Sequence, residues 1–114
     1  MKQSEADLKT ARLTLNVLTK IRLHKRGNPI VSRQLEEEFS ITGERVRELV
    51  RLMRREGTPI GACSDGYFYA DTYDEIESTI EDLRQREESL RFTRIALLKK
   101  FNLGEGLFAG GIPI

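Results

Sequence analysis

The chain carries one cysteine, Cys63, and one histidine, His24, in 114 residues. A lone cysteine excludes an intrachain disulfide and fits a reducing compartment. His24 and Cys63 fall on different predicted elements, so they do not make a nucleophile–base pair. Neither a cluster with metal-ligand spacing nor a phosphate-cradling glycine loop accompanies them. These gaps point away from an enzyme, and away from a metal, a cofactor or a small-molecule ligand. Cys63 reads as a small buried strand residue and His24 as a surface one. Apolar runs stay well short of the ~18 residues that a membrane span needs. The opening "MKQSEADLKTARL" has no apolar stretch of the signal-peptide kind. The expectation is a cytoplasmic protein with no membrane partner. Internal repeats are absent as well.

Net charge is also scarce, at +1, but its distribution is uneven. Residues 1–61 hold 13 Lys/Arg against 8 Asp/Glu, whereas residues 62–114 hold 6 against 10. A basic first half is where a polyanion would bind.

What is present is helical periodicity. Leu8, Ala11, Leu15, Leu18 and Ile21, with Val17 beside them, predict a helix from about Ser4, its cap, to Arg26. Lys20, Arg22, Lys25 and Arg26 crowd its last turn, and Gly27-Asn28-Pro29 stops it. "PIV" reads as a short extended piece. Ser32 is the expected N-cap of a brief helix through Phe39, with Leu35 and Phe39 inward and Glu36-Glu37-Glu38 facing water. After the tight connection "SIT", Thr42 caps a third helix over Gly43 to Glu56. Its inward positions are Val46, Leu49 or Val50, and Met53, and Gly57 follows as the C′ glycine. Pro59 to Cys63 reads as a strand, Ser64-Asp65-Gly66 as a turn and Tyr67 to Ala70 as the return strand. Asp71 or Thr72 caps a fourth helix that meets no breaker before Asn102 and Gly104. The expected fold class is α+β, mostly α, divided into residues 1–70, a long helix over 71–102 and a glycine-rich tail over 103–114.

Two short helices joined by a tight turn, with a hairpin directly after, make the pattern of a winged helix-turn-helix. The matching residues are Thr42, Val46, Val50, Met53, Gly57, Pro59-Ile60 and Gly66-Tyr67. With these, "ITGERVRELVRLMRREGTPIGACSDGYFYA" resembles the domain at the N-terminus of the biotin operon repressor and of many bacterial and phage regulators. The resemblance covers residues 13 to 70 and implies double-stranded DNA as partner. It does not imply biotin ligase activity, because no ligase domain is present. Gly43 and Glu44 depart from the basic or hydroxyl residues that many relatives carry at the helix start.

With Val46 and Val50 inward, Glu44, Arg45, Arg47, Glu48 and Arg51 face outward from the third helix, and together with Thr42 and Gly43 at its start they are the candidate DNA contacts. Arginine can grip guanine bidentately or meet phosphates, and glutamate can accept from cytosine. The plainer alternative is a solvated face of mixed charge. Ser32 and Arg33 open the second helix, where backbone N–H groups can hold a phosphate, and Lys25 and Arg26 are further phosphate candidates. The hairpin tip, Ser64-Asp65-Gly66, has no Lys or Arg, so it is expected to contribute little to DNA. In the aromatic run, Tyr67 and Tyr69 share one face and Phe68 takes the other. The resemblance implies that Tyr67 packs the wing on the helices, so the tyrosines are expected to be scaffold and Phe68 is left as the one aromatic available for contact.

On the long helix, Ile76, Ile80, Leu83, Leu90, Leu97 and Phe101 recur with heptad steps, interrupted by Glu87 and Arg94. A stripe of that length exceeds what a small core can cover, so a homodimer through this helix is expected, with Glu87 and Arg94 setting its register. The plainer alternative is a helix that folds back on its own domain or breaks near Ser89. The reading is thus a dimeric DNA-binding protein, a transcriptional regulator or a phage or mobile-element protein. The alternative is an assembly adaptor without DNA binding, which uses the long helix and the apolar tail residues Leu107, Phe108, Ile112 and Ile114 on protein partners.

Overall fold

The first helix, α1 (Glu5–Arg22), begins where Ser4 Oγ accepts a hydrogen bond from Asp7 N at 3.1 Å. The computed structural model of the chain describes residues 4–101. Beyond α1 come α2 (Ser32–Phe39), α3 (Gly43–Arg55), β1 (Ile60–Cys63), β2 (Gly66–Tyr69) and α4 (Tyr73–Lys100). This order of helices and hairpin is the one the periodicities predict, and the class is α+β with helix predominant.

α1 stops four residues before the expected Arg26. The His24 carbonyl, which a continuing helix would use on Asn28, instead accepts Tyr69 N–H at 2.8 Å. Asn28 N–H turns to Lys25 O at 2.8 Å. Lys25 and Arg26 therefore lie in a turn and not in a helical last turn. The buried face of α1 also differs from expectation. Val17 and Ile21 are fully buried and Leu13 and Leu18 pack beside them, while Leu8, Ala11 and Leu15 are exposed. α1 is apolar on two flanks, and the flank centred on Val17 is the one that meets α2 and β2.

Ser32 is the first residue inside α2, not its cap. The N-cap is Val31, which makes no side-chain cap bond, and Ser32 Oγ donates to Glu36 Oε2 at 2.9 Å. Glu36 is accordingly half-buried, and Glu38 pairs with Lys20 at 3.1 Å, so of the acidic run only Glu37 and Glu38 are solvent-exposed. Ser40 closes α2 in the left-handed region, φ 54°. An L-residue held there costs roughly 1 kcal/mol.

α3 follows expectation closely. Thr42 Oγ1 accepts Arg45 N–H at 3.1 Å, and Val46, Leu49, Val50 and Met53 are all buried. At its end Gly57 adopts φ 92°, Gly57 N–H bonds Arg54 O at 2.9 Å and Thr58 N–H bonds Met53 O at 3.1 Å. These two bonds satisfy carbonyls that the helix end leaves open. The α3 face joins Val17, Ile21, Ile30, Leu35 and Ile60 in one core, with Phe39, Ile41 and Tyr67 against it.

β1 and β2 pair antiparallel, from Ile60 opposite Tyr69 to Cys63 opposite Gly66. The loop is thus Ser64-Asp65, and Gly66 opens β2 instead of completing the turn. A Cβ on Gly66 would lie 2.2 Å from Ile30 O, so the glycine serves the approach of the "PIV" segment. Ile30 and Tyr67 exchange two backbone bonds of 2.8 Å there. Cys63 is exposed, against expectation, because it ends β1 at the loop. His24 is half-buried and its Nδ1 lies 2.9 Å from Asn28 O.

α4 starts at Tyr73, just after Thr72, whose Oγ1 accepts Glu75 N–H at 3.4 Å while Glu75 Oε1 accepts Asp71 N–H at 2.6 Å. The chain divides into two compact units, one ending at Thr79 and one beginning at Ile80. In the first unit, Thr79 Oγ1 accepts Ala62 N–H at 3.1 Å, laying the start of α4 on the hairpin. The second unit's share of α4 presents Ile80, Leu83, Leu90 and Leu97 exposed. Among the described residues, no helix is long and apolar enough to cross a membrane.

Candidate nucleic-acid interface

The inward commitment of Val46, Leu49, Val50 and Met53 dictates what α3 turns outward. At 100° per residue, Glu44, Arg47, Glu48, Arg51 and Arg55 share the opposite face, and all five are exposed. Thr42, Glu44, Arg45, Glu48 and Arg51 border a shallow depression of about 230 Å³ on that side.

The arginines of this helix are not equivalent. Arg45 is half-buried, its guanidinium held by Glu48 and by Thr10 Oγ1 at 3.1 Å. It is a brace between α3 and α1, occupied on both sides. Arg47 and Arg51 stand outside the ion pairs of the described residues, as does Arg55. These three recur at i, i+4 and i+8. They form a row about 12 Å long on the outward face at 1.5 Å per residue. Like charges at i,i+4 disfavour a helix by a few tenths of a kcal/mol per pair. The row concentrates positive charge on a face that also carries Glu44 and Glu48. Arg55 is absent from the residues singled out by sequence, although its spacing from Arg51 was a readable signal.

The remaining candidates scatter. A Cβ on Gly43 would sit 3.1 Å from Glu36 Oε2 and 3.6 Å from Arg47 Nη1, so Gly43 admits the α2 carboxylate to the start of α3. That start therefore already faces an anion. Glu44 is exposed, and Glu48 is engaged with Arg45. Arg33 is exposed and only 4.0 Å from Glu37. Ser32 directs its hydroxyl to Glu36, as described. Lys25 pairs with Asp71 at 2.9 Å and lies 5.3 Å from the Tyr69 ring, which also takes Arg22 at 5.2 Å. Arg26 is exposed.

The hairpin corrects one expectation outright. Phe68 is 1% exposed and cannot act as a contact. It lies on the hairpin face opposite Ile60 and Tyr67, over Gly61, whose missing side chain leaves room for its ring. The tyrosines are the half-buried pair: Tyr67 packs on the core and Tyr69 offers its ring to two cations.

On α4, Ile76 is half-buried within the first unit. In the second unit Ile80, Leu83, Leu90, Leu97 and Phe101 are exposed, as are Glu87 and Arg94. A separate face carries Arg84 between Glu81, at 2.6 Å, and Glu88, at 3.1 Å. Hydrogen bonds from Arg84 and then Gln85 hold the Glu81 carboxyl below its usual value of 4.5. The apolar tail residues Leu107, Phe108, Ile112 and Ile114 lie outside the described residues.

No family model and no curated protein matches the chain.

Proposed function

We propose that the first unit is a winged helix-turn-helix that binds double-stranded DNA through α3, and that the protein works as a dimer paired through α4. In this reading α2, the Ser40-Ile41-Thr42 turn and α3 form the helix-turn-helix, and β1–β2 is the wing. The observation that carries it is the outward row of Arg47, Arg51 and Arg55, each exposed and outside the ion pairs among the described residues. A helix fits a major groove about 12 Å wide, and guanidinium groups along it reach phosphates and guanine edges. Arg26 and Arg33 add exposed positive charge in the same unit. Arg45 supports α3 from within and does not read DNA. The wing contributes little, because its tip carries Asp65 and no cation. With no enzyme chemistry invoked, the role is regulatory or organisational, in a bacterial or phage setting.

The test is anisotropy of labelled mixed-sequence duplexes with the full chain and with an Arg47→Ala/Arg51→Ala/Arg55→Ala variant. Binding by the wild type and its loss in a variant of unchanged helicity supports the reading. Equal binding by both removes α3 as the interface.

A second reading, a protein-assembly adaptor, draws on a different observation. A groove of about 550 Å³ between α1 and α3 is lined by Ala11, Leu15, Leu18, Leu52 and Met53, with Leu15 and Leu52 exposed. Absence of duplex binding at low salt would favour it.

A further inference from the structure

The exposed heptad stripe of α4 carries its two charges where they select an orientation. In order along the helix it reads Ile80, Leu83, Glu87, Leu90, Arg94 and Leu97, with Glu87 and Arg94 both at a positions when Leu83, Leu90 and Leu97 are at d. All six are exposed. In a parallel, in-register pair, a meets a. Glu87 would face the partner's Glu87 and Arg94 the partner's Arg94, two like-charge layers in an otherwise apolar seam. In an antiparallel pair, a meets d. The six positions are symmetric about the point between Glu88 and Ser89, so one two-fold axis matches every layer. Ile80 then faces the partner's Leu97, Leu83 the partner's Arg94, and Glu87 the partner's Leu90. Glu87 and the partner's Arg94 fall in adjacent layers of opposite charge, and the symmetry repeats that contact.

Flanking residues do not oppose this choice. Arg86 would approach the partner's Arg91 in the parallel pair, and Arg84 would do so in the antiparallel one. Arg84 is already neutralised by Glu81 and Glu88. We propose that α4 pairs with a second copy of the chain in antiparallel orientation, centred between Glu88 and Ser89, with Glu87 and Arg94 crossing the interface as two ion pairs. The proposal rests on the dimer part of the proposed function and specifies its geometry. The two copies' chains then enter the pair from opposite ends, with their Ile80 positions 17 residues apart along the axis, or about 25 Å.

Site-specific cross-linking decides it. In a Cys63→Ser background, Ile80→Cys and Leu97→Cys proteins are oxidised in a glutathione buffer, separately and mixed. The expected result is a disulfide-linked dimer in the mixture and none in either protein alone. Self-linking of Leu97→Cys overturns the orientation, and a dimer that links in no combination overturns the register. A monomer by light scattering at tens of micromolar overturns the pairing itself, and with it the dimer part of the proposed function. A second measurement is independent of cysteine. Glu87→Arg sets arginine beside the partner's Arg94 and is expected to weaken dimerisation roughly tenfold or more. Adding Arg94→Glu restores it. In a parallel pair both variants would keep like against like, and the absence of rescue would refute the antiparallel arrangement.

Discussion

The aromatic run of the hairpin tests the packing account through a single missing side chain. A Cβ on Gly61 would lie 2.2 Å from Phe68 Cζ and 2.6 and 2.8 Å from its two Cε atoms. Carbon atoms pack best near ~3.5–4.0 Å, so Gly61→Ala drives a methyl more than about 1 Å into a ring. The ring cannot swing to solvent without exposing a side chain that is 1% exposed. Overpacking of this kind costs about 1–3 kcal/mol. Phe68→Ala alone costs about 3–5 kcal/mol, the usual loss for a buried phenylalanine. The two together should not add. Once the ring is gone the new methyl meets open space, and alanine at a strand glycine stabilises by roughly 0.5–1 kcal/mol. Gly61→Ala is therefore destabilising in the wild type and neutral or stabilising in Phe68→Ala, a coupling of about 2 kcal/mol or more. Urea unfolding followed by circular dichroism, on the four proteins of the cycle, measures it. Additive losses would show that Phe68 does not rest on Gly61, and would return it to the list of possible contacts.

Three further outcomes follow from named bonds. Thr42→Ala removes the oxygen that accepts Arg45 N–H and should cost about 1 kcal/mol in the same urea assay. Arg45→Ala should lower stability by about 0.5–1 kcal/mol while leaving the salt dependence of duplex binding unchanged, since its guanidinium is spent on Glu48 and Thr10. A reduced salt slope would make it a DNA contact. Thr79→Val strands the half-buried Ala62 N–H and should cost about 1 kcal/mol, with hydrogen exchange accelerated at Ala62.

α3 was legible because three signals agree on it: Thr42 before it, Gly57 after it, and Val46, Leu49, Val50 and Met53 spaced to one face. α1 was legible as a helix but not in its orientation. Leu8, Leu15, Val17 and Ile21 supply two apolar flanks, and only tertiary packing chooses between them. Its end was hidden for a related reason, since the His24 carbonyl is claimed by Tyr69, 45 positions away in sequence. Ser32 has the composition of a cap, yet its hydroxyl finds the Glu36 carboxylate one turn on. In the hairpin, alternation separated Phe68 from the tyrosines but carried no sign for which face is covered. The covered face is the one where Gly61, the cross-strand partner of Phe68, leaves room for the ring. Of the interface candidates, the arginine spacing was readable and the division of labour was not. That Arg45 braces while Arg47, Arg51 and Arg55 stand outward depends on Thr10, a residue of another helix.

The salt dependence of duplex binding tests the central claim most directly. Each phosphate contact removed should lessen the slope of log K against log salt by about 0.9, or by about 2.7 for three arginines, if each meets one phosphate. Anisotropy titrations between low and physiological salt should therefore give a steep slope for the wild type, and a shallower one by that amount for Arg47→Ala/Arg51→Ala/Arg55→Ala. Equal slopes for the two proteins, or no duplex binding at low salt, would contradict the account.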